Sequence, residues 1–307
     1  MTRHHFVVMT MMASATFFVA TATAAYVAPP LSRIHDALPV ARGMRSSISM
    51  AGLSGLEPDD PVFQDELWLA TSQVRYGPPT QGAGVGYCSS YKPFEVWGNH
   101  SRAILLLDLE PRSETDLCSL ADQLTLSCEC VTLAPLLRGG AARWPRERLG
   151  AEAWAAAQYL NGDRNAESLA VVAFGGTSTA VVLGLLAEGA LGAHAAVSLC
   201  PSGDAAGAAD VARAARELHV PLLAVCGTAD DGGGRAYAAA LTDALALNAR
   251  LGADQYVSTM GESSSDFLMA PRDAEEAKAG DRAIALVQSW VNTYCPEGLS
   301  KGRSGDA

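Results

Sequence analysis

Ser168 to Ser178 reads SLAVVAFGGTS, and the parsing of this stretch decides the fold. Seven uncharged residues, apolar after the first, are what a strand buried on both faces requires. Gly175 and Gly176 end that run, and Ser178 to Glu188 resumes as a helix. Ala170 to Ala187 carries no charge, which raises a membrane-spanning alternative. A glycine pair and three hydroxyl residues between two separate apolar runs predict strand, turn and helix instead.

The same alternation continues on both sides. Upstream, Ala103 to Leu107 is an apolar strand, Ser113 to Leu126 a helix with Ser113 as its N-cap, Cys130 to Ala134 a strand stopped by Pro135, and Arg148 to Leu160 a helix. Downstream, strands are expected over His194 to Leu199, Pro221 to Val225 and Gln255 to Thr259. Helices are expected over Ala205 to Leu218, Arg235 to Leu251 and Asp273 to Val291. Alternation of this kind implies right-handed crossovers and a mostly parallel, doubly wound sheet with helices on both faces. Leu67-Trp68-Leu69 and Phe94-Glu95-Val96-Trp97 are candidates for antiparallel edge strands. One domain is expected over residues 51–295, followed by a polar tail over 296–307.

In open sheets of this class, ligands bind at the carboxyl ends of the strands. The segments there include Asp108-Leu109-Glu110-Pro111, Gly175-Gly176-Thr177-Ser178, Cys200-Pro201-Ser202 and Gly227-Thr228-Ala229-Asp230. Three longer stretches carry a resemblance. RAILLLDLEP with LADQLTLSCECVTLAPLLRGG, VPLLAVCGTADD and GESSSDFLMAPRD are similar in order and loop signature to the dienelactone hydrolase family of α/β-hydrolases. The resemblance spans roughly residues 90–293.

That resemblance implies an α/β-hydrolase-type sheet, hydrolysis of a small ester or lactone, a small-molecule pocket at the strand carboxyl ends, and neither cofactor nor metal. It puts Asp230 on the family's catalytic aspartate, and Asp108 and Glu110 where the family has a pocket carboxylate. The chain departs from the pattern at two positions. The nucleophile falls on Gly175, a residue that tolerates the strained turn but has no reactive atom. The histidine falls on Ser265, which cannot accept a proton near neutral pH. A second frame makes Gly176-Thr177-Ser178-Thr179-Ala180 a G-x-S-x-A motif with Ser178 as nucleophile; against it, Ser178 reads as the helix N-cap or a residue of its first turn. Two functions follow: a hydrolase working through Ser178 or an acid-activated water, or a catalytically inactive descendant that keeps the pocket for a ligand or partner.

The full chain has 307 residues, 49% of them apolar and 18% charged, enough for a real core. Its formal net charge is −11. Setting residues 1–50 aside removes four basic and one acidic residue and leaves −14. Such a surface argues against nucleic acid and against membrane binding after processing. The leader has two parts. Phe6 to Ala25 is uncharged and ends in small residues, like a signal peptide; Tyr26-Val27-Ala28-Pro29 then resembles a plastid presequence junction, and a basic, serine-containing stretch runs on to Met50. Plastid delivery is expected, with secretion as the alternative. Seven cysteines without a C-x-x-C pair read as free thiols; Cys128 and Cys130 are expected on one strand face, without the partners zinc needs.

Overall fold

A computed structural model describes residues 69–77, 84–91, 101–110, 113–137, 146–229, 233–251 and 254–295, all within the unit Leu56–Ala307. The leader, Phe94 to His100, Arg138, Asp230 and the tail after Cys295 lie outside the described residues. The strands are β1 (Leu69–Tyr76), β2 (Gly84–Tyr91), β3 (Arg102–Asp108), β4 (Val131–Pro135), β5 (Ser168–Phe174), β6 (Ala195–Leu199), β7 (Leu222–Gly227) and β8 (Gln255–Met260). The helices are α1 (Glu114–Cys128), α2 (Arg146–Gly162), α3 (Gly176–Ala187), α4 (Ala205–Arg216), α5 (Gly234–Ala246) and α6 (Ala274–Tyr294).

Period-two alternation explains why β3 and β5 read as unbroken apolar runs. Ala103, Leu105 and Leu107, with Leu169, Val171 and Ala173, face a core shared with α2, α3, α4 and α5. Ile104 and Leu106, with Ala170, Val172 and Phe174, face the opposite core, closed by α1 and α6. Every residue of both strands is buried, and charge in them is confined to the two ends of β3, Arg102 and Asp108. Among the described residues no helix is long and apolar enough to cross a membrane, and Ala170 to Ala187 divides into β5 and the twelve-residue α3.

The sheet order is β1-β2-β4-β3-β5-β6-β7-β8. Pairing is parallel from β4 through β8, while β1–β2 and β2–β4 are antiparallel. From β3 the chain steps outward to β4 and then returns across β3 to β5, so the winding direction reverses there. The crevice outside the carboxyl ends of β3 and β5 is where this topology opens a ligand site. Register holds those ends level, with Asp108 opposite Phe174.

Local signals act as expected at several ends. Ser113 caps α1, its hydroxyl accepting the Asp116 N–H at 3.1 Å. Asp273 caps α6 by accepting the Glu275 and Glu276 N–H groups, each at 2.9 Å. The expected antiparallel edge is present: Leu69 opens β1, β2 comes from Gly84–Tyr91, which the sequence had not marked, and Phe94 to Trp97 lies outside the described residues. One expectation needs correction. Cys128 ends α1 and Cys130 lies just ahead of β4, so the two do not share a strand. Both thiols are buried.

Candidate functional site

The turn between β5 and α3 is built around Gly175, at φ +84° and ψ 168°. Its N–H donates to the Leu199 carbonyl at 2.9 Å. Its own carbonyl accepts from the Thr179 N–H at 3.0 Å and the Thr179 hydroxyl at 2.7 Å. That hydroxyl also lies 2.8 Å from the Ser198 hydroxyl, which ties the turn to β6. An L side chain is strained in this backbone region, by about 1–3 kcal/mol. The frame with Gly175 at the elbow is therefore the one the backbone adopts.

The place a nucleophile's side chain would take is filled. A Cβ on Gly175 would stand 2.7 Å from Glu110 Cγ and 3.0 Å from Glu110 Oε1. Glu110 reaches there from the loop after β3, its Oε1 3.4 Å from the Thr177 N–H in the first turn of α3. A carboxylate is favoured at this position by the positive end of the helix dipole. Gly176 is tighter still, because a Cβ there would lie 1.8 Å from the Ser202 carbonyl oxygen. The loops after β6, β7 and β8 approach each other as closely: Gly227 faces the Ser264 carbonyl, and Gly234 faces the Gly227 carbonyl, each 1.9 Å from a hypothetical Cβ.

Ser178 sits inside the first turn of α3, fully buried, and its hydroxyl accepts the Leu109 N–H at 2.8 Å. It acts as a strut between α3 and the β3 loop. Asp108 is buried, and its Oδ1 accepts the Glu110 N–H at 2.8 Å. In a hydrolase of this class, an N–H of the β3 loop and the N–H after the nucleophile would hold an oxyanion. Here the Leu109 and Glu110 N–H groups are both directed at acceptors within the protein.

Asp230 lies outside the described residues. The Ala229 N–H donates to the Ser263 carbonyl at 2.9 Å and the Thr228 N–H to the Met260 carbonyl at 3.2 Å. The β7 and β8 loops thus run side by side at these residues. On the β8 loop Ser265 is half-buried and Phe267 is buried in the core. His194 Nδ1 accepts the Leu169 N–H at 3.3 Å, and His219 lies 3.0 Å from Arg250; both stand at the amino ends of strands.

Two features escape a reading of the sequence. Glu276, 1% exposed, accepts the Ser264 N–H at 2.6 Å and the Arg272 N–H at 2.6 Å, and pairs with the Arg272 guanidinium at 2.6 Å. Burial pushes this carboxyl up, but the Arg272 guanidinium and the two N–H groups outweigh it and hold it at about 2. The only local signal was Asp273 three residues ahead, which reads as a capping box. Tyr237, on α5, reads as core by its spacing with Leu241, yet its hydroxyl reaches the elbow at Gly176.

The thiols at strand ends do not replace the missing nucleophile. Cys226 is buried, and burial pushes its thiol up to about 12. Cys200 adopts φ +51° but is fully buried. Among the described residues no group of three His, Cys, Asp or Glu side chains converges as a metal site. A hollow of about 230 Å³ lies away from the elbow, beside β8, lined by Met260, Glu262, Ser263, Glu275 and Arg282.

No family model and no curated protein match the chain. Solved structures do. A prolyl endopeptidase superposes with a TM-score of 0.53 at 14% identity over 75% of this chain, which spans only 39% of that enzyme. A protein assigned as a dienelactone hydrolase from Klebsiella pneumoniae subsp. pneumoniae gives 0.56 at 17% identity, covering 73% of this chain and all of the other (100%). A dienelactone hydrolase-like promiscuous phosphotriesterase from metagenomic libraries gives 0.55 at 15%, covering 74% and 98%. The chain has the α/β-hydrolase fold. Identities this low establish the α/β-hydrolase fold alone, and one fold hosts many activities.

Proposed function

We propose that this α/β-hydrolase-fold chain binds a small-molecule ligand at the carboxyl ends of β3 and β5 without covalent turnover. It would thus be a non-catalytic descendant of the scaffold rather than a hydrolase of small esters or lactones. One observation carries the reading: glycine occupies the elbow, and the Glu110 carboxylate occupies the space a nucleophile would need. The buried, acceptor-engaged hydroxyl of Ser178 and the committed Leu109 and Glu110 N–H groups support it. So does the serine at position 265, which has no proton-accepting nitrogen to offer an attacking group. Sites stripped of nucleophile or base retain a residual of about 10³ to 10⁴ over water.

The test is hydrolysis of p-nitrophenyl acetate and of dihydrocoumarin, an aromatic lactone. Rates within that residual support binding without turnover. A saturable rate well above it, lost in Ser178→Ala, would restore the hydrolase reading. We also propose delivery to a plastid, on the strength of the two-part leader.

A further inference from the structure

A second surface lies away from the elbow, at the outer edge of the sheet. β8 ends the strand order and pairs only with β7 among the described residues. The Leu222 N–H donates to the Asp254 carbonyl and the Thr228 N–H to the Met260 carbonyl, so the even-numbered residues of this strand address β7. Alternate residues of a strand turn their backbone groups to opposite sides. Val257 and Thr259 therefore direct an N–H and a C=O outward, where no described residue receives them.

Edges of this kind are normally blunted by charge, proline or a bulge. Gln255–Met260 reads QYVSTM, without charge or proline, and keeps unbroken register with β7. The other outer edge, β1, carries Arg75. β8 also presents an aromatic ring, since Tyr256 is 42% exposed. Tyr256 and Ser258 share a face with Met260, which lies in the core closed by α6, while Val257 packs on the opposite side. On the Tyr256 side, the hollow of about 230 Å³ is lined by Met260 together with Glu275 and Arg282 of α6.

We propose that two copies of this chain join edge to edge through β8, antiparallel about a two-fold axis at Val257, to make one sheet across both. A two-fold axis perpendicular to the sheet keeps its faces continuous only if opposed residues share a face, so an opposed pair is both odd-numbered or both even-numbered. Centring on Ser258 would set Asp254 against Glu262, two acids. Centring on Val257 sets Asp254 against Met260 and opposes no like charges. Val257 then exchanges two N–H···O bonds with its own copy, and Tyr256 stands opposite Ser258. The Tyr256 ring reaches diagonally to the second copy's Met260, beside that copy's hollow. A projecting aromatic and a hollow on one edge make the edge self-complementary, as an isologous contact demands.

Sedimentation equilibrium of the full chain tests this, in about 0.3 M sodium chloride to screen its net negative charge. A monomer–dimer equilibrium is expected. Protection of the Val257 and Thr259 amides from hydrogen exchange should rise with protein concentration, while the Tyr256 and Ser258 amides, already bonded to β7, should change little. Tyr256→Asp, at an exposed position, should weaken the dimer about tenfold or more by removing the ring and adding an acid at the contact. Val257→Pro removes the two bonds at the axis and should weaken it about tenfold to a hundredfold. Proline is tolerated on an edge strand where its nitrogen faces outward. A chain that stays monomeric up to about 1 mM overturns the proposal. So do assemblies larger than a dimer, which pairing of β8 with β1 would give by growing head to tail. A dimer whose affinity is unchanged in Tyr256→Asp, or whose protection falls outside Val257 and Thr259, overturns it as well. If Val257→Pro fails to fold, Tyr256→Asp and the exchange pattern decide.

Discussion

Gly175→Ala is the most informative single change at the elbow, because two separable costs meet there. The first is backbone strain: at φ +84° and ψ 168° an alanine costs about 1–3 kcal/mol. The second is contact with Glu110, whose Cγ would be 2.7 Å away. That side chain is half-exposed and can swing aside, giving up its place at the α3 amino terminus, worth about 0.3–1 kcal/mol. The sum is roughly 1.3–4 kcal/mol. In a Glu110→Ala background the second cost disappears, so Gly175→Ala should cost less there, by about 0.5–1 kcal/mol of coupling. Gly176→Ala is the control. It has no positive φ, but its Cβ would meet the Ser202 backbone carbonyl at 1.8 Å, which cannot swing away. It should cost about 3 kcal/mol, and Glu110→Ala should not relieve it. Urea unfolding, read as midpoint shifts at constant m, measures all five variants, the three single changes and the two doubles with Glu110→Ala. A Gly175→Ala cost below about 0.5 kcal/mol, or equal costs in both backgrounds, would refute the elbow geometry and the role of Glu110.

Ser178→Ala should destabilise by about 1–3 kcal/mol, since it strands the buried Leu109 N–H; a neutral effect in urea would contradict the strut. Glu276 is held near 2 in the fold against its ordinary 4.5, so its contribution is complete above about pH 4.5 and is lost as the pH falls toward 2. The urea midpoint of the unaltered protein should therefore fall more steeply over that window than that of Glu276→Gln, and parallel profiles would refute the contribution of Glu276. Leu106→Ala, in the wholly buried centre of β3, should cost about 2.7–5 kcal/mol; less than 1 would place it outside the core. The native protein should begin after about residue 50 and reside in plastids; N-terminal sequencing that finds a start at Ala25 or Tyr26, with secretion, would overturn this.

The parts of the fold that were legible in the sequence are those where one physical demand dominates. β3 and β5 lie between two cores, so their central positions are all apolar, and their limits could be read to within a residue. Ser113 and Asp273 announce their helices by side-chain caps. β2 was not legible. Its core-facing positions include Gly86, Cys88 and Ser90, too small to make an apolar alternation, and its pairing with β1 and β4 comes from distant segments. At the site, the glycine at 175 was readable from the elbow pattern, because backbone strain is a local property. Its meeting with Glu110, 65 residues earlier, was not, nor was the direction of the Ser178 hydroxyl. Those are set by how β3 and β5 lie side by side, and no short motif encodes that.

Intact-mass measurement after prolonged exposure to a fluorophosphonate shows whether the elbow carries a nucleophile, since such reagents form a stable covalent bond with an activated serine. The chain should keep its unmodified mass, and a Glu110→Ala variant that opens the space beside Gly175 should do the same. A stoichiometric adduct that maps to Ser178, and is lost in Ser178→Ala, would contradict the account.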